Sequence, residues 1–515
     1  MTERGRRALI AVGCAALAAG LSACSVGPDF LRPQAEAGAG YTPEKLASTT
    51  EAGGVTGGAA QRFLAGTDVP GQWWTLFRSK PLNAMIAEAL RANPDIDAAQ
   101  ATLRQARETG YADQGAFFPT VSGTVSNTRE RTSGDSIGEP GFAPTFTVAT
   151  ASLSVTYAPD VFGGVRREVE SAEAQAEYER FQLEATYLTL TSNVANSAVT
   201  LASLRDQIVA TENIIKSESD QLDLMNQRFD LGAIAKSDVL NQEAALAQAR
   251  ATLPPLQKQL AQARNQLMAY LGRFPNQDKS ESFALAALRL PDKLPVSLPS
   301  KLVEQRPDVR ASEAQLHEAS ANIGVAIANQ LPQFSLTASS GTTATSLGKL
   351  FSPDTAVWSL GQSVATTIFD GGALEHRKRA AEAAYDQAAA QYRRTVLNAF
   401  ADVANALRAL QADADTLKVD AVAERAASDS LDLTRQQYDS GAIDYVTLLT
   451  AQQTYHNAVV TRVRAQAARY SDTVALFQAL GGGWWNRADV RPDSEGSPDR
   501  LALPPVQEIT FSTLQ

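Results

Sequence analysis

The strongest pattern along the chain is a seven-residue recurrence of apolar side chains. Tyr187, Val194, Leu201, Ile208, Ile215, Leu222 and Phe229 follow one another at that interval. Val396, Val403, Leu410, Leu417, Glu424, Leu431 and Tyr438 repeat it, each 209 positions later. Seven-residue spacing marks a coiled-coil seam. Neither 165–231 nor 373–440 contains a Gly or a Pro, so each predicts an unbroken helix about 100 Å long. Helices of that length have to pack lengthwise. Leu188, Ala195, Ala202 and Val209 broaden the first stripe, which suits a helix with two neighbours, as in a tube wall. A plain coiled-coil rod accounts for the heptads equally well.

A period of two appears in four shorter segments, Pro119–Arg131 with Thr145–Tyr157 and Pro332–Thr345 with Ala356–Phe369. Val121, Gly123 and Val125 alternate with Thr120, Ser122, Thr124 and Ser126; Trp358, Leu360 and Val364 alternate with Ser359, Gly361 and Ser363. Parity changes near Ala149-Thr150, where a bulge is expected. The segments are long enough for tilted membrane strands, which need about 9–11 residues; a soluble hairpin domain would alternate in the same way. Four strands cannot close a barrel, and open edges cannot face lipid. Membrane strands would therefore have to be pooled from several copies.

Both patterns belong to one unit written twice. Asn93-Pro94-Asp95 returns as Arg306-Pro307-Asp308, and Phe118-Pro119 as Leu331-Pro332, both 213 positions on. Phe229-Asp230-Leu231-Gly232-Ala233-Ile234 returns as Tyr438-Asp439-Ser440-Gly441-Ala442-Ile443, and Leu271-Gly272 as Leu480-Gly481, both 209 positions on. The expected organisation is a leader at 1–23, an extended arm at 24–80, a first repeat at 81–298, a second at 299–483 and a tail at 484–515. Each repeat opens with one helix of about 35 residues (Pro81 to Phe117; Pro299 to Gln330). A β pair (119–157; 332–369), a long helix (165–231; 373–440) and a returning helix (234–272; 442–480) follow. The arm is rich in Gly, Ala, Thr and Pro and shows no helical or strand period.

Composition narrows the chemistry. A net charge of −10 argues against nucleic acid, which needs a basic face. Two cysteines and three histidines exclude a disulfide framework and leave little for a metal site. His317, His376 and His456 fall on separate helices and are expected to be solvated. No Gly-x-Ser-x-Gly, phosphate-binding Gly-Lys-Ser/Thr or His-Glu-x-x-His motif occurs, so neither an enzyme nor a cofactor is expected. Asp370-Gly371-Gly372 reads as a strand-to-helix turn. Arg377-Lys378-Arg379 reads as a solvated face, with a role at lipid headgroups as the second reading. At the N-terminus, Arg4, Arg6 and Arg7 precede an apolar run too short to span a bilayer as a stable helix. It ends in Leu21-Ser22-Ala23-Cys24, which resembles a bacterial lipobox; an ordinary signal peptide is the plainer alternative. The lipobox implies acylated Cys24, and Ser25 in place of an inner-membrane retention Asp implies the outer membrane.

The ensemble resembles the TolC-like outer-membrane efflux factors, in their NodT-type lipoprotein branch. Cys24 with Val26-Gly27-Pro28-Asp29, Trp73-Trp74, Asn93-Pro94-Asp95, Phe118-Pro119, the turns at Gly232 and Gly441, and Ala479-Leu480-Gly481-Gly482-Gly483-Trp484 carry the likeness. It implies a mainly α protein with a membrane β-barrel. As a homotrimer it would have a twelve-stranded outer-membrane β-barrel continuous with a twelve-helix periplasmic α-barrel. The implied partners are a periplasmic adaptor, an inner-membrane transporter of the RND type and outer-membrane lipid. Leu231, Gly232, Ala233, Ser440, Gly441 and Ala442 would be the adaptor-contacting tips. Asp238, Tyr438, Asp444, Thr447 and Thr450 would form the periplasmic gate. Relatives complete that gate with an Arg where this chain has Ile443, so a lock of hydrogen bonds and apolar contacts is expected instead of an ionic one. An adaptor and a non-transporting coiled-coil scaffold remain alternatives; the first has a single hairpin, and the second needs no β pairs.

Overall fold

A computed structural model describes residues 25–33, 40–44, 46–133, 135, 138, 140–278 and 283–487. Cys24 and the leader, and 488–515 of the tail, lie outside the described residues. Eight α-helices are described: α1 (Lys80–Ala92), α2 (Pro94–Gln114), α3 (Gly164–Asp230), α4 (Lys236–Tyr270), α5 (Pro299–Gln305), α6 (Pro307–Ala328), α7 (Ala373–Asp439) and α8 (Tyr445–Ala479). Six strands accompany them: β1 (Arg62–Ala65), β2 (Thr120–Arg131), β3 (Thr145–Tyr157), β4 (Lys293–Val296), β5 (Gln333–Ala344) and β6 (Ala356–Ala365). The duplication is visible in the element lengths. α3 and α7 have 67 residues each, α4 and α8 have 35 each, and β2 and β5 have 12 each.

The long helices lie side by side, as their heptads require. α3 packs against α2, α4, α6 and α8, and α7 packs against α6 and α8. Four helices therefore stand abreast at each level: α2, α3, α6 and α7 toward the sheet, and α4, α3, α8 and α7 toward the far end. Val194, Leu201, Val403, Leu410 and Leu417 of the seams are buried. Glu424, the polar seam position, accepts from Arg462 Nε of α8 at 2.5 Å. Among the described residues no helix is long and apolar enough to cross a membrane.

Each expected opening helix is two helices. The breaks fall at Asn93-Pro94 and Arg306-Pro307, where proline removes the N–H and pushes the preceding residue to extended backbone. Asn93 and Arg306 have ψ of 124° and 124°. The break has a structural use. Asn93 caps α2 by accepting from Asp95 N at 2.8 Å, and its Nδ2 donates to the Tyr270 carbonyl at 2.9 Å. Arg306 makes the same junction in the second repeat, donating to the Ala479 carbonyl at 3.2 Å, with Asp308 and Asp402 bound as well. In both repeats the motif pins the start of the unit to the end of its returning helix.

The arm is more ordered than its composition predicts. Gly27, at φ +91°, rests on Gly324 of α6 so closely that a Cβ would lie 2.5 Å from the Gly324 Cα. Arg167 of α3 donates to Val26 O at 3.1 Å and to Asp29 Oδ1 at 2.7 Å. Phe30 stacks on His317, and Arg32 reaches Glu313. Farther on, Arg469 of α8 holds the carbonyls of Gly57 and Ala59, each at 2.7 Å. The arm then turns back as β1, parallel to β4. It ends in Trp73 and Phe77, both 1% exposed, with Trp73 stacked on Phe477 at 5.4 Å. These aromatics belong to the main core with Ile86, Leu201, Leu410 and Tyr470. Contacts distant in sequence impose order that no local period signals.

Candidate functional site

The sheet runs β2-β3-β5-β6, antiparallel throughout. β2 pairs with β3 in unbroken register from Thr120↔Thr156 to Arg131↔Thr145, so the expected bulge near Ala149 is absent. Register sorts the side chains into two faces, since cross-strand partners share one. One face carries Val121, Val125, Leu153, Val155, Leu336, Trp358, Leu360 and Val364, with Ser340, Thr342 and Gln362 set among them; the other carries Thr120, Ser122, Thr124, Ser126, Ser152, Ser154, Ser339, Ser359 and Ser363. Leu153, Trp358 and Leu360 are 61%, 79% and 79% exposed. Among the described residues nothing covers this mainly apolar face, and β2 and β6 are open edges. A sheet with one apolar and one hydroxyl-lined face is what a lipid-embedded, water-lined barrel requires.

The two strand-to-helix junctions repeat each other. Asp160 accepts from the amides of Val165 and Arg166, both at 3.1 Å, and Gly163 takes φ +77°. Asp370 accepts from the amides of Gly372 and Leu374 at 2.8 and 2.7 Å. These bonds hold the Asp370 carboxyl below its ordinary range. The Asp370-Gly371-Gly372 segment is thus the turn expected. In the basic cluster beyond it, Lys378 pairs with Glu382 and Arg379 with Glu375. Ser25 lies against Gly163, at the first of these junctions.

At the opposite end, α3 closes with Gly232 at φ +73° and α7 with Gly441 at φ +74°. Gly232 N donates to Phe229 O and Ala233 N to Arg228 O, both at 2.8 Å; Gly441 N and Ala442 N do the same to Tyr438 O and Gln437 O at 3.0 and 2.9 Å. This paired bonding is a Schellman cap, which needs a left-handed residue. Leu231, Gly232, Ala233, Ser440, Gly441 and Ala442 are all exposed, Leu231 to 84%.

Behind the turns lies a small core of Met225, Val239, Leu431, Tyr445 and Leu448, with Tyr438 packed on it. Tyr445 meets Tyr438 edge-on at 5.7 Å. Its hydroxyl pKa is raised by burial first, with Glu218, Tyr438 and Asp238 adding to it. Asp238 and Tyr438 thus share Tyr445 as a neighbour, while no hydrogen bond joins them directly among the described residues. Arg228 lies over the Tyr438 ring at 5.5 Å and donates to Asp439 at 3.1 Å. It links the two tips, and the sequence reading missed it. The only clue was its place four residues before Gly232, opposite the second turn. Asp444 caps α8, accepting from Thr447 N at 2.9 Å and Thr447 Oγ1 at 2.5 Å, and these bonds lower its pKa. Thr450 donates to Val446 O. The Asp444 and Thr447 side chains and the Thr450 hydroxyl proton are thereby bound within their own helix.

Of the histidines only His376 is exposed. His317 lies 2.9 Å from Glu170 beneath Phe30, and His456 lies 3.9 Å from the buried Glu218. Burial drops the His456 pKa to about 4 and raises that of Glu218. Helix-to-helix packing, invisible in the local sequence, covers His456 and partly covers His317, against the expectation of solvated rings, which holds for His376.

Comparison with known proteins agrees with this geometry. A family model described as outer membrane efflux protein matches residues 85–273 and 298–482. The pyoverdine export outer membrane protein OpmQ of Pseudomonas putida is 29% identical over 80% of this chain and 88% of its own. The probable efflux pump outer membrane protein TtgC of the same species is 28% identical over 91% and 94%. Among solved structures, the outer-membrane channel OprN superposes with a TM-score of 0.80 at 27% identity, covering 90% of this chain and all of that one.

Proposed function

The chain belongs to the outer membrane efflux protein family and is an outer-membrane channel protein of efflux pumps; from that premise we propose how one copy contributes to the working channel. Three copies pool their four-stranded sheets into one twelve-stranded barrel and their four abreast helices into a periplasmic tunnel. The observation that carries this is the sheet with one bare apolar face and two unpaired edges, β2 and β6. In hydrocarbon every backbone group has to be paired, and closure by neighbouring copies is the way to pair both edges. The hydroxyl-lined face then borders the water path. The conduit needs no catalytic group: it offers a route, and an inner-membrane transporter of the RND type supplies the work through a periplasmic adaptor.

The exposed turns at Gly232 and Gly441 are the surfaces offered to that adaptor. Asp238, Tyr438, Asp444, Thr447 and Thr450 stand next to them as the resting closure, with Arg228 and Tyr445 joining Tyr438. The lipid on Cys24 adds a second anchor. Its neighbour Ser25 touches the base of β3's junction with α3, which is the level where the periplasmic leaflet would meet the protein. Reconstitution in planar bilayers tests the reading. Purified protein should run as a trimer and give discrete conductance steps. Monomers that leave the bilayer silent would sink it. An adaptor or a scaffold would give that silent result.

A further inference from the structure

The sheet reverses its polarity near the end farthest from the helices. On β2 and β3, up to the rung joining Val125 to Ala151, the lipid-side face is apolar. Beyond it the same face of β2 carries Asn127, Arg129 and Arg131, paired with Ala149, Thr147 and Thr145. The opposite face reverses as well, for Phe146 and Val148 stand opposite Glu130 and Thr128. No bulge separates the two zones, so the sequence itself makes the switch. From Tyr157 to Thr147, the partner of Arg129, is ten residues, roughly 34 Å along a strand and about 25 Å along the membrane normal at a typical tilt. The apolar band of an outer-membrane barrel is about 25 Å tall. Arg129 and Arg131 therefore begin where hydrocarbon ends, in the outer leaflet's headgroup layer.

Both arginines are exposed, and neither has an ion-pair partner among the described residues. Glu130, between them in sequence, projects to the other face. Residues two apart on a strand stand roughly 7 Å from each other on one side, so two guanidinium forks can close on one phosphate or take neighbouring ones. A guanidinium matches phosphate oxygens with two parallel N–H bonds, which an ammonium cannot copy.

We propose that Arg129 and Arg131 form a binding site for the phosphorylated headgroup of an outer-leaflet glycolipid, holding a lipid against the outside of the barrel. The site rests on the barrel reading above. The test uses purified full-length protein, wild type and R129Q/R131Q, in mild detergent. Native mass spectrometry follows retention of bisphosphorylated lipid A, the same lipid with its phosphates removed, and phosphatidylethanolamine; inorganic phosphate serves as a soluble competitor. Wild type should retain the phosphorylated lipid about tenfold better than the dephosphorylated one, and R129Q/R131Q should bring the two to parity. Equal retention of both lipids by wild type, or unchanged selectivity in the variant, overturns the site. Displacement of the lipid by millimolar inorganic phosphate overturns the lipid as its occupant. Conductance is recorded on the same samples. A wild type that conducts without lipid selectivity defeats only this site, whereas one that neither inserts nor conducts defeats the channel reading beneath it.

Discussion

At Asp413 the fold sets one carboxyl against another. Burial raises its pKa first, and the hydrogen bond and charge of Asp472 raise it further, against the pull of Arg469, to about 7. A carboxyl raised from 3.8 to about 7 holds its proton in the folded protein after the unfolded chain has released it. Its stabilising contribution is thus fully present below pH 4 and lost as pH rises to 7. Asp413→Asn, which keeps the neutral shape, should raise the unfolding temperature above pH 7 and leave it unchanged at pH 4. Circular dichroism melts across that range check it, and parallel shifts at both ends would refute it. The gate is also decided by single residues. Asp238→Ala with Tyr438→Phe should raise single-channel conductance, and Arg228→Ala should do so alone. Its contacts with Tyr438 and Asp439 are partly exposed and contribute about 0.5–1 kcal/mol each, but three copies open together. Unchanged conductance in both variants would place the closure elsewhere.

At the scale of elements, the helix ends carry the argument. A side chain at Gly232 or Gly441 would meet nothing within 4 Å, yet both sit at positive φ. Any L-residue there costs roughly 1–2 kcal/mol in backbone strain. Alanine and tryptophan carry that same strain and differ only in bulk, which separates capping from docking. Gly232→Ala with Gly441→Ala should lower thermal stability modestly and keep efflux. The Trp pair should abolish efflux while trimers remain in the membrane. Equal losses in an export assay of the two pairs would assign the turns to capping alone.

Over the whole molecule, the arm ties the repeats together. It binds α3 of the first repeat through Arg167 and α6 of the second through Gly324 and Glu313. Gly27→Val would force the arm off Gly324, breaking the close approach and loosening the bonds to Arg167, which is buried at 4% exposure. Charged hydrogen bonds of this kind contribute about 1.5–3 kcal/mol. Hydrogen exchange of residues 26–33 should accelerate by about tenfold or more. Wild-type protection in that segment would show that the strap is held from elsewhere.

Local periodicity by itself determined the long and returning helices, the strands of the four-stranded sheet and the turns at Gly232 and Gly441. Heptads, alternation and a glycine at a helix end each act within a few residues, so they can be read without knowing what lies across the fold. The duplication was legible for the same reason, and with it the equal lengths of α3 and α7. Parity told which side of β2 and of β6 is apolar, and register then put Val121 and Trp358 on the same face. What the sequence left undecided depends on contacts between distant residues. The arm's Trp73 and Phe77 become core because Phe477 and Tyr470 meet them. His317 and His456 are covered by neighbouring elements, Asp413 finds Asp472 across a helix pair, and Arg228 reaches from one tip to the other. The helix breaks at Asn93 and Arg306 follow from the prolines after them, but that these two residues bind the ends of α4 and α8 was not legible. Burial and pairing are properties of three-dimensional neighbours, and only the tertiary structure supplies those neighbours.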